Sequence, residues 1–261
     1  MGKIRKPAVA GMFYPDDARE LTLTVAGYMS DAQANGETVK ALIAPHAGYI
    51  YSGPIAASAY AHLSDCAGKI ERVVLLGPAH RVALNGLAVC SAESFATPLG
   101  NVAVDTDAVQ DILALPQVVL SDEAHASEHS LEVHLPFLQT ICPGFKIVPL
   151  VVGQASAADV AELLERLWGG PETIIIVSSD LSHYYDYATA HTLDAATAET
   201  IIALDPAGLR YDSACGQVAI RGLLQAARKK GLCARAVDLR NSGDTAGPHS
   251  RVVGYGAFVF T

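Results

Sequence analysis

Ile174-Ile175-Ile176-Val177-Ser178-Ser179-Asp180-Leu181-Ser182-His183 decides the fold class. Four consecutive β-branched residues read as a strand buried on both faces, the kind found in a helix-covered parallel sheet. Ionisable residues follow at once. The same event recurs along the chain. Ala41-Leu42-Ile43-Ala44 runs into Pro45-His46, and Val73-Val74-Leu75-Leu76 into Gly77-Pro78-Ala79-His80. Ala236-Val237-Asp238-Leu239 runs on to Asn241-Ser242-Gly243-Asp244. Ligands of open α/β sheets bind in the crevice outside the carboxyl ends of the strands. Four such ends offering imidazole or carboxylate point to one shared site, most simply a metal site.

Helical patterns fill the intervals. Asp16 or Asp17 caps a helix to about residue 29, and Pro54 suits the first turn of a helix ending near 62. Thr106 caps a helix to 115, a short helix falls within 131–138, and others cover 157–168, 190–204 and 217–230. Strands are expected at 39–44, 72–76, 87–90, 102–104, 146–151, 173–177, 234–239 and 252–260. The last follows a short turn-rich link, which suits an antiparallel strand. No linker or internal repeat divides the sequence. The expected architecture is one α/β domain over residues 1–261, with a central mixed, mostly parallel sheet covered by helices.

Composition narrows the function. Hydrophobic residues make up 51% and charged residues 17% of the 261 positions, which fits a globule with a full core. The formal net charge of -9 argues against nucleic acid as the main partner. No apolar run reaches membrane-spanning length, and the N-terminal stretch lacks the apolar core of a signal peptide. Five widely spaced cysteines without a CxxC pair read as reduced thiols, so a cytoplasmic location is expected.

His46 and His80 form the strongest pair, each set by a proline-containing turn at a strand end. Asp180 competes with Ser178 and Ser179 as the cap of a following helix. His183, three residues on, has no such explanation; a carboxylate beside it would fix its tautomer. The segment Glu128-His129-Ser130-Leu131-Glu132-Val133-His134 is dense in ionisable groups between apolar stretches, so its groups are either solvated or paired in a site. Its histidines stand five apart, which is not the HExxH arrangement. Asp244, taken alone, reads as a turn residue. Cys215 reads as a small buried residue near a helix start, since no motif activates it.

Four segments together resemble the Memo family, known in bacteria and archaea as protein B of the AmmeMemoRadiSam system. They are Arg5-Lys6-Pro7-Ala8-Val9-Ala10-Gly11-Met12-Phe13-Tyr14-Pro15, Pro45-His46-Ala47-Gly48-Tyr49-Ile50-Tyr51-Ser52-Gly53, Glu128-His129-Ser130-Leu131-Glu132-Val133-His134-Leu135-Pro136 and Ser178-Ser179-Asp180-Leu181-Ser182-His183. Gly77-Pro78-Ala79-His80 also fits. The resemblance implies a fold similar to class III extradiol ring-cleaving dioxygenases, with His46 and His80 as metal ligands and Asp180 and His183 lining the pocket. The family's animal branch has a cysteine near the C-terminus as third ligand. Here no cysteine follows Cys233, and Asp244 or Thr245 lies near that place. Asp244 would complete a two-His, one-carboxylate triad of the non-haem Fe(II) kind. The resemblance also implies a pathway association with radical-SAM and AMMECR-type proteins.

Three readings follow. The first is a non-haem Fe(II) oxidoreductase acting with dioxygen on a small aromatic or phenolic compound. His46, His80 and Asp244 hold the metal, His183 oriented by Asp180 takes the substrate proton, and His129 and Glu132 bind substrate or orient ligands. The second is a binding or adaptor protein that retains the pocket. The third is a zinc hydrolase with Glu132 as base. Iron is favoured, with zinc and copper as alternatives.

Overall fold

The computed structural model describes residues 2–34 and 36–261. Apolar runs become strands and amphipathic runs become helices in the alternation expected. In chain order these are β1 (Ile4–Arg5), α1 (Ala18–Asp31), β2 (Ala41–Ala44), α2 (Tyr49–Tyr60), β3 (Arg72–Pro78), β4 (Leu87–Val89), β5 (Ser94–Thr97) and β6 (Gly100–Val104). Next come α3 (Thr106–Ile112), β7 (Val118–Leu120), α4 (Asp122–Ala126), α5 (Leu135–Ile141), β8 (Lys146–Val152), α6 (Ala157–Arg166) and β9 (Thr173–Ser178). The chain ends with β10 (His183–Tyr185), α7 (Tyr187–Ile202), α8 (Gln217–Lys230), β11 (Ala234–Asn241) and β12 (Val252–Phe260).

Among the described residues, twelve strands form one mixed sheet with the main order β1-β5-β6-β8-β3-β9-β2-β12-β10. Its centre, β6-β8-β3-β9-β2, is parallel throughout. β12 then runs antiparallel to β2 and β11, as its short connection requires. Every residue of β2 and β9 is buried, because helices cover both faces. α1, α2 and α5 pack together, and α6 packs along α8, which lies on β3 and β9.

The register of the centre sets the site. Ala44 pairs with Ser178 and Leu76 with Val177, so β2, β9 and β3 finish side by side. Their next residues therefore share one crevice, with the end of β9 in the middle.

Several elements differ from expectation. α2 begins at Tyr49, so Pro54 lies inside the helix rather than in its first turn. The intrahelical bond it removes is to Ile50, whose carbonyl sits on the solvent side of the entry turn, since Ile50 is exposed. Ser94–Thr97, for which no strand was expected, form β5 in a hairpin with β6. α7 is capped by the Asp186 side chain, so the cap role weighed for Asp180 falls away. β1, β7 and β10 are two or three residues long and carry too little pattern to be read in advance.

Candidate metal centre

His46 leaves β2 directly after Pro45. Its backbone N–H donates to Asp180 Oδ1 at 2.8 Å, which ties the β2 exit to the β9 exit. Its ring Nδ1 lies 2.6 Å from Ser178 Oγ. Ser178 spends its only proton on the carbonyl of Ser130, at 2.6 Å. The hydroxyl must then accept from Nδ1–H, which fixes the tautomer and leaves the Nε2 lone pair free. Nε2 faces Cys215 Sγ at 3.3 Å. Burial, then the nearby imidazoles of His80 and His129, hold His46 neutral by pushing its pKa well below the usual histidine value.

His80 is oriented by a carboxylate. Its Nδ1 lies 3.0 Å from Glu128 Oε1, and its backbone N–H donates to Glu128 Oε2 at 2.6 Å. The amides of His129 and Ser130 donate to the same side chain, both at 2.9 Å. Burial alone would raise the Glu128 pKa. The His80 ring and the amide donors outweigh it and bring the carboxyl down to about 2. An ionised Glu128 makes Nδ1 of His80 the donor and Nε2 the free nitrogen, as in carboxylate–histidine–metal arrangements.

The third candidate donor is sulfur. One ring nitrogen of each histidine and the Cys215 sulfur all lie within 4.8 Å of one another. Cys215 precedes α8 and is stitched to the end of β9. Its N–H donates to the Asp180 carbonyl at 3.2 Å, and its sulfur accepts from the Asp180 N–H at 3.3 Å. Burial, with the Asp180 charge second, raises the thiol pKa. The free thiol is therefore protonated, and a bound cation is the natural agent to release its proton.

Two close approaches make this geometry possible. A Cβ on Gly77 would stand 2.6 Å from Ser130 Oγ and 2.9 Å from Leu131 Cδ2, so the Glu128 segment seats on the β3 exit only because that position is bare. A Cβ on Gly216 would stand 2.6 Å from the Ser178 carbonyl, so Cys215 reaches the β9 exit for the same reason.

The remaining expected residues divide. Asp180 is buried at the centre, its Oδ2 3.9 Å from His46 Nε2, and burial raises its pKa to about 6. His183 is half-buried and donates Nδ1–H to the Leu181 carbonyl at 2.7 Å, which leaves Nε2 as a base; its charge acts on both His46 and Asp180. His129 stacks on His80 with centroids 4.9 Å apart and meets His46 edge-on at 5.5 Å. Phe13 closes over His129 at 4.8 Å.

Asp244 and Glu132 are not brought into the centre. Asp244 is exposed; it accepts the Asn241 N–H at 2.8 Å and the Tyr187 hydroxyl at 2.6 Å. Its Asn-Ser-Gly-Asp setting forms a 3-10 turn in which Asn241 and Asp244 cap each other. It is the turn residue that its local pattern describes. Glu132 is buried in an ion pair with Arg5, and also accepts the N–H groups of Ala8 and Val9 and the Tyr14 hydroxyl. It fastens the N-terminal segment that carries Phe13.

A family model described as Memo-like protein matches residues 5–259. The chain belongs to the Memo-like family. Among curated Memo relatives, a MEMO1 family protein of Ignicoccus hospitalis is 38% identical over 98% of both chains. Those of Methanopyrus kandleri and Aquifex aeolicus are 36% and 35% identical, again over 98% or more of each chain. The Memo-like fold is also similar to the crystal structure of uncharacterized protein JW3007 from Escherichia coli K12. That likeness has a TM-score of 0.53 over 83% of this chain and 99% of the other, at 14% identity. No helix among the described residues is long and apolar enough to cross a membrane.

Sequence reasoning missed Cys215, Ser178 and Glu128 in this Memo-like centre. The one available signal for Cys215 was the Cys-Gly pair itself, a thiol beside a residue that permits close backbone approach.

Proposed function

We propose that this chain is a metal-dependent oxidoreductase whose centre is His46, His80 and Cys215, acting on a small hydroxylated aromatic compound. The observation that carries the reading is the donor set. Two imidazoles, each with one ring nitrogen turned to the centre, and one thiol converge on a point, and each imidazole is held by a partner of its own. Such a set suits iron(II), copper or zinc and disfavours magnesium and calcium. Iron(II) is the first ion to test; sulfur in place of the expected carboxylate strengthens the case for copper. The bound ion would supply electron transfer with dioxygen and a Lewis-acid position for the substrate hydroxyl.

The protein's own residues supply the rest. His183 presents Nε2 to take the hydroxyl proton, because its Nδ1–H is already given to the Leu181 carbonyl. Asp180 fixes His46 through its backbone and places negative charge near the developing imidazolium. Phe13 and the stacked imidazoles of His80 and His129 form an aromatic wall that excludes water on one side.

We extend the reading to a pathway association with radical-SAM and AMMECR-type proteins, which rests on resemblance in sequence. Cytoplasmic residence is supported by five free cysteines. The hydrolase reading needs Glu132 as base, and four donors already surround that carboxylate.

The test is metal content after anaerobic purification and reconstitution with iron(II), copper(I) or zinc. Wild type and Asp244→Asn should bind one ion; His46→Ala, His80→Ala and Cys215→Ser should lose it. Oxygen uptake with a panel of catechols then tests the chemistry. A wild type that stays metal-free under every condition would overturn the metalloenzyme reading in favour of the binding-protein one.

A further inference from the structure

A cleft of about 420 Å3 opens beside the metal centre, between the exits of β3 and β8 and the start of α8. Cys215 forms part of its wall, so cleft and centre share a residue. The volume falls in the range of small-ligand pockets. Its polar groups are the amides of Asn85, Gln154 and Gln217 and the hydroxyl of Tyr211; among the described residues none of its lining side chains is charged.

Gln217 gives the cleft its chemistry. It is 6% exposed, and its Oε1 has no hydrogen-bond partner among the described residues. A buried carbonyl oxygen of this kind calls for a donor. Beside it, the first turn of α8 has no side-chain cap. The N–H groups of Val218 and Ala219, which line the same cleft, therefore lack intrahelical acceptors. The wall offers two donors next to one acceptor. An anion would satisfy the donors and leave Oε1 bare. A cation would satisfy Oε1 and oppose the positive end of the helix. A neutral group with a carbonyl beside an N–H satisfies both.

We propose that this cleft is the recognition arm of the centre and that it takes a carboxamide. The carbonyl accepts from Val218 and Ala219 N–H, and the amide N–H donates to Gln217 Oε1. The compound's other end is thereby directed toward Cys215 and the two histidines. Only that last step rests on the metal reading; amide recognition rests on the cleft.

The experiment is a 1H–15N titration of the full chain, metal-free and zinc-loaded, with benzamide, benzoate and acetophenone. Zinc uptake is measured separately by elemental analysis. Benzamide should shift the Val218 and Ala219 amides at concentrations at least tenfold below those needed for the other two. Gln217→Leu should erase that preference while taking up zinc as wild type does. Benzoate or acetophenone binding as well as benzamide would overturn the proposal, and so would no shift with any probe. Gln217 also borders the hollow beside Arg221, so shifts confined to that side would overturn it too. The wild-type comparison needs no folded variant. Zinc uptake without benzamide shifts defeats amide recognition alone; benzamide shifts without zinc uptake defeat the metal reading alone.

Discussion

A carboxylate that accepts from four donors has nothing left to offer a substrate. Glu132 is in that position, buried with Arg5, Tyr14 and two backbone amides. Removing its charge strands the Arg5 guanidinium, and breaking a buried pair this way costs about 3–5 kcal/mol. Glu132→Gln should therefore lower unfolding stability by about 3 kcal/mol in urea titrations, with metal stoichiometry unchanged in the folded fraction. A variant that folds as stably as wild type but loses activity would return Glu132 to the catalytic machinery. At this scale the sequence was legible where a side chain follows a strand end directly. His46, His80 and Asp180 met that condition, and the structure brings all three together. Cys215 lies on the connection between α7 and α8, where no periodicity says which strand it will approach. Asp244 also follows a strand, and β11 ends on the same side of the sheet as β2, but β12 stands between the two and sets Asp244 to one side of the crevice.

Elements position the centre through bare backbone. The β3 exit touches the Glu128 segment at Gly77, and the start of α8 touches the β9 exit at Gly216. A methyl group at Gly216 would meet a backbone carbonyl at 2.6 Å, which has no side-chain freedom to yield. Overpacking of this kind costs about 1–3 kcal/mol and shifts backbone. Gly216→Ala should weaken metal binding by 10-fold or more in a competition titration, while circular dichroism stays that of the native fold. Gly77→Ala meets Ser130 Oγ at 2.6 Å and Leu131 Cδ2 and Ser130 Cβ at 2.9 Å, so it should also weaken metal binding, by displacing the Glu128 segment. Equal affinity in wild type and Gly216→Ala would show that the α8 contact does not set the Cys215 position. The long helices and buried strands were readable from their patterns, and 217–230 and 252–260 match to the residue. β1, β7 and β10 were not, because two or three residues carry no period; pairing with neighbours creates them.

Among the buried imidazoles with no part in the centre are those of His125 and His134. His125 is buried with Nε2 2.9 Å from the Ala88 carbonyl, and burial lowers its pKa to about 4. His134 is buried against the Tyr60 hydroxyl at 2.8 Å, and burial lowers it to about 3. Both titrate near 6.5 when unfolded. Below that pH the unfolded chain binds protons that the native state refuses. Stability is thus full above about pH 6.5 and falls as pH drops toward 4, by up to about 1.4 kcal/mol per pH unit for each group. His125→Gln keeps an N–H for Ala88 and removes one titration. Urea midpoints measured from pH 7 to 4.5 should fall less steeply in this variant; an unchanged slope would rule His125 out as a contributor.

His46 and Cys215 are separated by 169 positions in the chain, and His80 follows a different strand from His46. No two of these ligands are sequence neighbours, so an unfolded or half-made chain offers no partial chelate for an ion to grip. Unlike a zinc finger, whose metal drives its folding, a chain with the proposed centre would complete its sheet first and take up its ion afterwards. On that reading, occupancy would record the cell's metal supply at the moment of maturation, and one correctly folded population would exist in empty and loaded forms side by side.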